Sequence, residues 1–553
     1  MTKLFSLRAP LLAVAVSLAG IAAADTPAPI ATDPAFGRYE IRTIPLDPAL
    51  RLRSATYTAS GKVLVVYSAK ESSDERDIKL AVMNDDGSDM RTFFAQKIPE
   101  RPKDNGLRFM MFADNKRIFL GDFVLECAPS IDSCDQSKLL PVEYPTEVAD
   151  SPSVWHRWSE IIIAPDNESI AWTTLLANYS AMVFSGHLQR SDNGYRVADA
   201  HIISTVEPFR ADPKHADGAL PNPLRNGEVK QFVHGGSAIS MVGAVRRDTP
   251  DSVVQQLVSG DIDAVTDTAG YNETTIFAPD ERLGITMSAR FSPASDLAIL
   301  GLMPKPYPAN LNMGVSMHAY THAVTGVRQS REGNVGPALI DIEKSQHDSS
   351  YRGLDLHTQP QWVFHSPMSW HPDNTRAMWM EGERGSDSRF GRKMRMQMVH
   401  LLDYKAGKPV AAQKTPIAPA YASTDLSLVA RLAANRDAAD VTIYGQHSGA
   451  IHFKRSVTGV IEKSYDNFSD DGKNVYRGSE KMVLNPRGNS TYTADVTLTG
   501  DKPGRTELKM TFGPLNDALP SRLIFDKDDD GVALTHGYSE YDGKRLNVDD
   551  LIP

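Results

Sequence analysis

A short phrase of turn residues between two apolar strands recurs along this chain, and the repetition constrains the fold more than any single motif does. Each copy ends one apolar run, turns over Pro, Asp, Asn, Ser or Gly, and begins a second run. The copies lie at 57–62, 111–116, 163–167, 291–295 and 370–374. Because Pro presets φ and Asp, Asn and Gly accept the bends that follow, each copy predicts a β-hairpin corner. Recurrence over tens of residues is typical of propellers and solenoids.

The spacing of the turns predicts how many repeats the chain contains. The first intervals are about 50 residues, which is near the length of a blade of four strands. Later intervals are longer, so we expect a further blade around 232–246 and an insertion around 304–358. The sequence therefore predicts an all-β fold, a propeller of six blades, with seven blades as the alternative.

The chain changes character after about residue 440. Apolar runs at 490–498 and 506–512 read as strands, but they lack the turn phrase of the preceding repeats. We predict a propeller over 25–440 and a C-terminal β-rich, sandwich-like region over 441–553. The alternative is that these last strands complete the ring.

The N-terminus has the pattern of a secretory signal peptide over residues 1–24. Lys3 and Arg8 are basic, an apolar stretch covers 11–21, and three alanines precede Asp25. No later stretch approaches the roughly 18 apolar residues that a spanning helix needs. We therefore predict a periplasmic or secreted protein without membrane insertion.

The charge balance excludes some partners. Lys and Arg number 59 against 69 Asp and Glu, which gives a formal net charge of −10. Nucleic-acid binding needs a positive surface that replaces counterions, so we expect no nucleic-acid partner.

Two cysteines, Cys127 and Cys134, lie close together in one segment. In an oxidising compartment this spacing favours a disulfide that pins a loop. The alternatives are a metal pair or a redox dithiol, and neither is favoured because the C-x-x-C spacing is absent.

The turn phrases also resemble a known family. Ala164-Pro165-Asp166-Asn167 and His371-Pro372-Asp373-Asn374 are similar to the Ser-Pro-Asp-Gly type turn of TolB-like (PD40/WD40-like) propellers, over roughly 40–440. That resemblance implies the propeller fold. A fainter likeness, at 465–472 and 478–480, is to secreted fungal saponin hydrolases, and it implies a glycosidic substrate.

Histidines are concentrated before and around one turn phrase. Six of the fifteen fall within about 55 residues, from His318 to His371. His318 and His322 have i,i+4 spacing, which places both imidazoles on one face if the segment is helical. Because imidazole ligates metals and shuttles protons, we predict a role in substrate binding, with a divalent metal as an alternative. A single histidine is more often a surface or core residue.

Two equivalent stretches before turn phrases supply the catalytic candidates. His156 and Arg157 precede one turn, and His365 precedes another. Glu381 and Glu383 follow the latter turn and offer paired carboxylates, although a solvated loop is the simpler interpretation. Two tryptophans, Trp158 and Trp370, lie in the same two stretches, and we predict that they bind substrate. Trp158 lies at the same distance from its turn phrase as His365 does.

An acidic run near the C-terminus, at 526–531, alternates carboxylates ahead of a glycine. Asp526, Asp528 and Asp530 have the spacing that a hard cation requires, so a structural Ca²⁺ site is one interpretation. An acidic hairpin turn is the other, because the flanking residues read as strands.

We find no nucleophile elbow, no H-E-x-x-H and no P-loop in the sequence. The leading hypothesis is an exported propeller enzyme that cleaves a glycoside or a uronate-containing oligosaccharide by hydrolysis or elimination. The alternative is a non-catalytic TolB-like propeller that binds a protein or glycan partner. The sequence leaves open whether any cofactor is required.

Overall fold

The computed structural model describes residues 29–72, 74, 76–99, 109–149, 151–178, 180–292, 297–328, 335–357, 359–385, 392–434, 438–485, 487–514 and 522–551. The predicted signal peptide lies outside these residues. Among them, no helix is long and apolar enough to cross a membrane.

Within the part of the chain that the structure describes, twenty-seven strands precede residue 402. The first fourteen are β1 (Ile30–Asp33), β2 (Gly37–Ile44), β3 (Leu50–Tyr57), β4 (Val63–Ala69), β5 (Lys79–Met83), β6 (Arg91–Phe94), β7 (Met110–Met111), β8 (Arg117–Phe119), β9 (Phe123–Ala128), β10 (Gln136–Glu143), β11 (Val154–Ile163), β12 (Ser169–Leu176), β13 (Ala181–Arg190) and β14 (Tyr195–Ile202). The next thirteen are β15 (Phe209–Ala211), β16 (Ala219–Pro221), β17 (Val229–Val233), β18 (Ala238–Gly243), β19 (Asp251–Gln256), β20 (Ile262–Ala264), β21 (Asn272–Phe277), β22 (Leu283–Ser288), β23 (Gly336–Asp341), β24 (Leu354–Asp355), β25 (Trp362–Trp370), β26 (Arg376–Glu383) and β27 (Met394–Leu401).

These strands form antiparallel units of four. The units are β3–β6, β7–β10, β11–β14, β17–β20, β21–β24, and β25–β27 completed by β2. The first strands of successive units contact one another from β7 through β11, β17, β21 and β25 to β3. Because β2 pairs with β27, the N-terminal strand closes the last unit. The predicted all-β propeller is thus confirmed, with β17–β20 at the place where a further blade was expected.

The burial of each strand follows its place in a unit. The second strand β4 has six consecutive buried residues, whereas β10, the last strand of its unit, alternates between exposed and covered positions and pairs at its end with β14 of the next unit. A middle strand is packed on both faces and an outer strand on only one, so this difference follows from the layered packing of the sheets. The apolar core accordingly lies between successive units.

The turn phrases form the predicted hairpin corners in four places. In three of them an asparagine adopts a left-handed φ of 54–65°: Asn115, Asn167 and Asn374. The apolar run at 297–300, which follows the turn phrase at 291–295, is not the expected second strand of that phrase, because it forms the helix α2 (Ala298–Gly301). Residues 293–296 of this segment lie outside the described residues. A short apolar run does not distinguish a strand from a buried helix. The hairpin of that unit turns instead at 278–282, where Glu281 has a φ of 56°.

The helices are few and short. They are α1 (Thr146–Ala149), α2 (Ala298–Gly301), α3 (Pro308–Thr321), α4 (Ile342–His347) and α5 (Leu428–Ala434), with a π-helix at His322–Val327 and 3₁₀ turns at His234–Gly236 and Val548–Leu551. The predicted insertion contains α3, which lies between β22 and β23 and begins with a proline, a residue favoured in the first turn.

The C-terminal region is rich in β-strands, as predicted, but it is one antiparallel meander of eight strands in place of the expected sandwich. Its strands are β28 (Ala439–Tyr444), β29 (Ser448–Arg455), β30 (Val460–Ser469), β31 (Val475–Val483), β32 (Ser490–Thr499), β33 (Gly504–Phe512), β34 (His536–Tyr541) and β35 (Lys544–Asn547). Buried residues alternate along these strands, and the buried face packs on α3. The helix therefore joins the ring to the C-terminal sheet.

A fully buried group of charges lies where the C-terminal sheet meets the ring. The Lys305 ammonium lies 2.6 Å from Asp248 and 3.2 Å from Glu480, and Lys463 lies 3.2 Å from Glu480. The Tyr492 hydroxyl donates to Glu480 at 2.7 Å. We refer to these five residues as the interior cluster.

Cys127 and Cys134 form a disulfide, as predicted. The bond joins the end of β9 to the loop before β10, with 5.2 Å between the Cα atoms. It lies at the edge of the core between the first two units.

Candidate functional site

The first strand of five units carries a β-bulge at a similar height. The extra residues lie at Arg53 in β3, 157–159 in β11, Lys230 in β17, 273–274 in β21 and 366–367 in β25. A bulge interrupts the alternation of a strand and redirects side chains, and bulges are frequent beside functional sites. Four of the five bulges bring a charged residue to this level of the ring.

Three of these strands contribute a group of carboxylates around one ammonium. Lys230 Nζ lies 3.0 Å from Glu228, 3.1 Å from Glu273 and 3.4 Å from Glu160. These four residues, on β11, β17, β21 and the residue before β17, are called the funnel cluster. The carboxylates outnumber the ammonium, so the funnel cluster is an acidic site with one fixed cation at its centre.

Two phenols accompany the funnel cluster. The Tyr271 hydroxyl donates to Glu273, and Tyr320 reaches the same group from the C-terminal end of α3. Burial, together with the nearby carboxylates, raises the pKa of both phenols well above its usual value. Both tyrosines therefore keep their protons at neutral pH and can act as proton donors.

His365 lies just before the bulge of β25, beside two arginines. Arg392 Nη1 lies 2.9 Å from His365 Nε2. Arg328, one residue beyond the π-helix, donates from Nε to the carbonyl of Phe364 at 3.0 Å. Burial, and then the charges of Arg328 and Arg392, hold the pKa of His365 well below its usual value. The imidazole is therefore neutral at pH 7 and able to accept a proton.

The lining of this region is both desolvated and accessible. Burial displaces the pKa values of Tyr320, Arg328 and His365, and each of these side chains is half-buried, so all three keep some contact with solvent. Polar side chains that are partly covered and partly accessible can fix the orientation of a ligand. Arg328 interacts electrostatically with Glu273, Tyr271 and Tyr320, which links His365 to the funnel cluster.

The structure separates His365 from the predicted carboxylate pair. His365 is opposite Met380 in the strand pairing, whereas Glu381 is opposite Phe364 and Arg395. Because neighbouring residues of a strand point to opposite faces, His365 and Glu381 lie on different faces of their sheet. Glu381 is 1% exposed and accepts from Arg395 Nε at 2.7 Å. Glu383 ends β26 and is half-buried.

The predicted residues of β11 have different surroundings. His156 lies against Trp155, with ring centroids 4.4 Å apart, and Arg157 pairs with Asp122 at 2.9 Å. Trp158 is 3% exposed and packs in the core against Gly121, so it offers no face to a ligand. The expected equivalence with His365 fails because Trp158 lies within its bulge and His365 lies before it.

The other predicted binding residues are in the core. Trp370 is 8% exposed and donates from Nε1 to the carbonyl of Ile276 at 2.8 Å. The segment of His318 and His322 is helical, which is the condition under which i,i+4 spacing places both imidazoles on one face. Each of the two histidines is 1% exposed beneath the C-terminal sheet. His318 lies beside Phe512, and His322 accepts from the amide of Leu523. They have the surroundings of core residues.

No group of three or more His, Cys, Asp or Glu side chains within the described residues is placed to hold a metal ion. This finding includes the acidic run at 526–531. Its Asp528 carboxylate accepts from the amides of Asp530 and Val532, and Gly531 has a φ of 79°. This is the geometry of the acidic hairpin turn, the interpretation that needs no cation.

His365 is among the candidates predicted from the sequence, but the funnel cluster and Arg328 were missed. These residues lie at or beside bulges, or after an inserted helix. No turn phrase or spacing marks such positions. The sequence signal for such positions is a charged residue in or beside an apolar strand segment. Glu228 and Lys230 are an example, since they lie shortly before the buried strand residues Phe232 and Val233.

Comparison with known proteins supports no closer assignment than the fold. No family profile matches the chain, and no curated protein matches it. Among solved structures, it is similar to TolB from Acinetobacter baumannii, at 11% identity and a TM-score of 0.28 over 64% of this chain and 65% of that one.

It is also similar to Trypanosoma rangeli sialidase in complex with sialic acid, at 9% identity and a TM-score of 0.32 over 90% of this chain and 84% of that one. A third similar structure is the β-propeller domain of the Trilobed protease from Pyrococcus furiosus, at 7% identity and a TM-score of 0.27 over 75% and 95% of the two chains. These values are too low to transfer an activity to this chain.

Proposed function

We propose that the protein is an exported propeller enzyme that cleaves uronate-containing carbohydrate by elimination, with His365 as the base. The observation that carries this proposal is a neutral, half-buried imidazole beside two guanidinium groups. Elimination next to a carboxylate needs a base for the proton on the adjacent carbon and cations that stabilise the carboxylate as charge develops on it.

Arg392 and Arg328 would supply those cations. A guanidinium binds a carboxylate through two parallel hydrogen bonds, which is the geometry of a uronate group. A bound carboxylate would draw Arg392 away from His365 Nε2. The lone pair of Nε2 would then be available to take the proton.

The reaction balances without a cofactor. The proton beside the carboxylate moves to His365, its electron pair forms a carbon–carbon double bond, and the bond to the departing oxygen breaks. That oxygen takes a proton from Tyr320, which is half-buried and remains protonated at neutral pH. Water later returns the tyrosine proton and removes the proton from His365.

The alternative is a non-catalytic propeller that binds a protein or glycan partner. The observation in its favour is that the predicted histidines do not converge, since His318 and His322 lie in the core and His156 lies on another strand. The funnel cluster would then be a recognition site for a hydroxyl-rich or cationic ligand.

A substrate screen distinguishes the proposed enzyme from a non-catalytic binding protein. Purified protein, with and without chelator, is incubated with polymers of galacturonate, glucuronate and mannuronate, and with a neutral polysaccharide. We expect ultraviolet absorption from the unsaturated product with at least one uronate polymer and none with the neutral one. Uronate binding without any double-bond formation would favour the non-catalytic alternative, and release of saturated sugars would show hydrolysis instead.

A further inference from the structure

One tryptophan differs from the other five in its exposure. Trp155 is 50% exposed, whereas the remaining five tryptophans range from fully buried to 8% exposed. A large apolar ring in contact with water loses the stabilisation that burial would give it. Isolated exposed apolar residues are common, so exposure alone does not indicate function. The local geometry is what distinguishes Trp155.

A bulge places Trp155 beside His156. Val154 is opposite Leu176 and His156 is opposite Leu175, so Trp155 is the extra residue in the pairing of β11 with β12. Neighbouring residues of a regular strand point to opposite faces, but here the two rings are 4.4 Å apart at 36°. The bulge therefore holds an indole and an imidazole side by side at the start of an innermost strand.

The tryptophan at the same position of another unit differs from Trp155 in its exposure. Trp362 lies eight residues before the end of β25, as Trp155 does before the end of β11. The Arg395 guanidinium covers the Trp362 ring at 4.1 Å, and Trp362 is 7% exposed. The two tryptophans thus share a position in the repeat, and only Trp155 presents half of its surface to solvent.

A polar pair that can bond the hydroxyl groups of a sugar begins two residues after Trp155 on β11. Arg157 and Asp122, paired at 2.9 Å, are partly accessible on their side chains. Trp155 lies five residues before Glu160 of the funnel cluster, which corresponds to roughly 15 Å of extended strand. A ligand that contacts both places must therefore be several sugar units long.

We infer that Trp155 and His156 form a stacking subsite for a pyranose ring of an extended oligosaccharide, remote from the reacting bond. The inference deepens the proposed function and rests on it for the identity of the sugar. The apolar face of a pyranose packs on an indole, while the Arg157–Asp122 pair can bond its hydroxyl groups. A stacked nucleobase is disfavoured by the net charge of −10.

The test is calorimetric binding of uronate and neutral oligosaccharides of two to eight units to the full chain. We expect Trp155→Ala to weaken binding of the longest ligands roughly 3- to 10-fold and to leave the dimers unchanged. Trp155→Phe should stay near the wild type. Val258→Ala, which alters another exposed apolar residue, is the matched control.

Equal binding of long ligands by wild type and Trp155→Ala would overturn the inference, as would the absence of binding to every oligosaccharide. The readout is independent of turnover. A length-dependent loss in a protein that forms no unsaturated product would support the subsite and reject the elimination chemistry. A weakening that is equal for dimers and octamers would also contradict a remote subsite.

Discussion

The funnel cluster and the interior cluster are built from the same chemistry but differ in their access to water. Each holds a lysine against carboxylates at 2.6–3.4 Å and has a tyrosine close by. In the interior cluster Lys305 and Glu480 are each about 1% exposed on their side chains. In the funnel cluster Lys230, Glu160 and Glu273 are 6–9% exposed on their side chains, Glu228 is 22% exposed, and the neighbouring Tyr320 is half-buried.

The comparison separates a structural role from a ligand-binding one. Two lysines balance two carboxylates in the interior cluster, so its formal charges sum to zero without solvent. In the funnel cluster three carboxylates surround one lysine, and Arg328 acts electrostatically on Glu273. The interior cluster, which is fully buried, joins the C-terminal sheet to the ring. The funnel cluster, with its partly exposed Glu228 and the half-buried Tyr320 beside it, is the better suited of the two to recognition.

The largest expected effect is the removal of a charge from the interior cluster. Lys305→Met leaves Asp248 and Glu480 buried without their cation, and we expect it to destabilise the fold by about 3–5 kcal/mol in denaturant unfolding. Lys481→Ala is the matched control, because it removes an exposed pair with Glu462 at 2.8 Å and should cost at most about 1 kcal/mol. Similar losses in the two variants would contradict the assigned role of the interior cluster.

The pH dependence of stability should follow from Glu480. The charges of Lys305 and Lys463 prevail over burial and lower the pKa of Glu480 to about 2. Since this pKa is lower than in the unfolded chain, the stabilisation is present above the unfolded pKa of about 4.3 and is lost as the pH falls towards 2. The loss is at most about 3 kcal/mol. Glu480→Gln should flatten the curve of unfolding free energy between pH 4.5 and 2, and an unchanged slope would exclude this carboxylate.

Removal of the funnel lysine should have a smaller effect on stability. In Lys230→Met the three carboxylates lose their ammonium, but Glu228 is 22% exposed and Arg328 still acts on Glu273, so we expect a cost of about 1–3 kcal/mol in denaturant unfolding. A loss as large as that of Lys305→Met would remove the difference between the two clusters.

The smallest effect is expected at the acidic turn over 526–531. Because Asp528 is engaged by backbone amides and no metal-binding group is formed there, millimolar Ca²⁺ should leave the melting temperature of the wild type unchanged. Chelator should have no effect either. A melting temperature that rises with Ca²⁺ and reverts in Asp528→Asn would restore the Ca²⁺ interpretation.

Much of the fold was predictable because its signals are local. The Pro-Asp-Asn phrases at 165–167 and 372–374 mark hairpins through backbone preferences that depend on few neighbours. The pairing of Cys127 with Cys134 follows from their proximity in sequence. The helix α2 was not predictable from periodicity, because its four residues form a short apolar run like those of the strands.

The candidate site was less predictable because it depends on register. His365 was identified from its place before a turn, but the position of each bulge decides which side chain is turned towards the funnel. Trp158 and His365 each lie seven residues before the proline of their turn. Because their bulges differ in position, Trp158 is in the core and His365 is half-buried. Arg328 reaches the site through the inserted α3, and no pattern in the strands indicates that approach.

The most direct test of the account is the activity of His365→Ala on the uronate polymer found in the screen. We predict a loss of about 100-fold or more in kcat, with a melting temperature within a few degrees of the wild type. His536→Ala, an exposed histidine of the C-terminal sheet, should retain full activity. Because the pKa of His365 is depressed, the acid limb of kcat/KM for the wild type should lie below pH 6.5. A folded His365→Ala variant that turns over uronate at the wild-type rate would contradict the account.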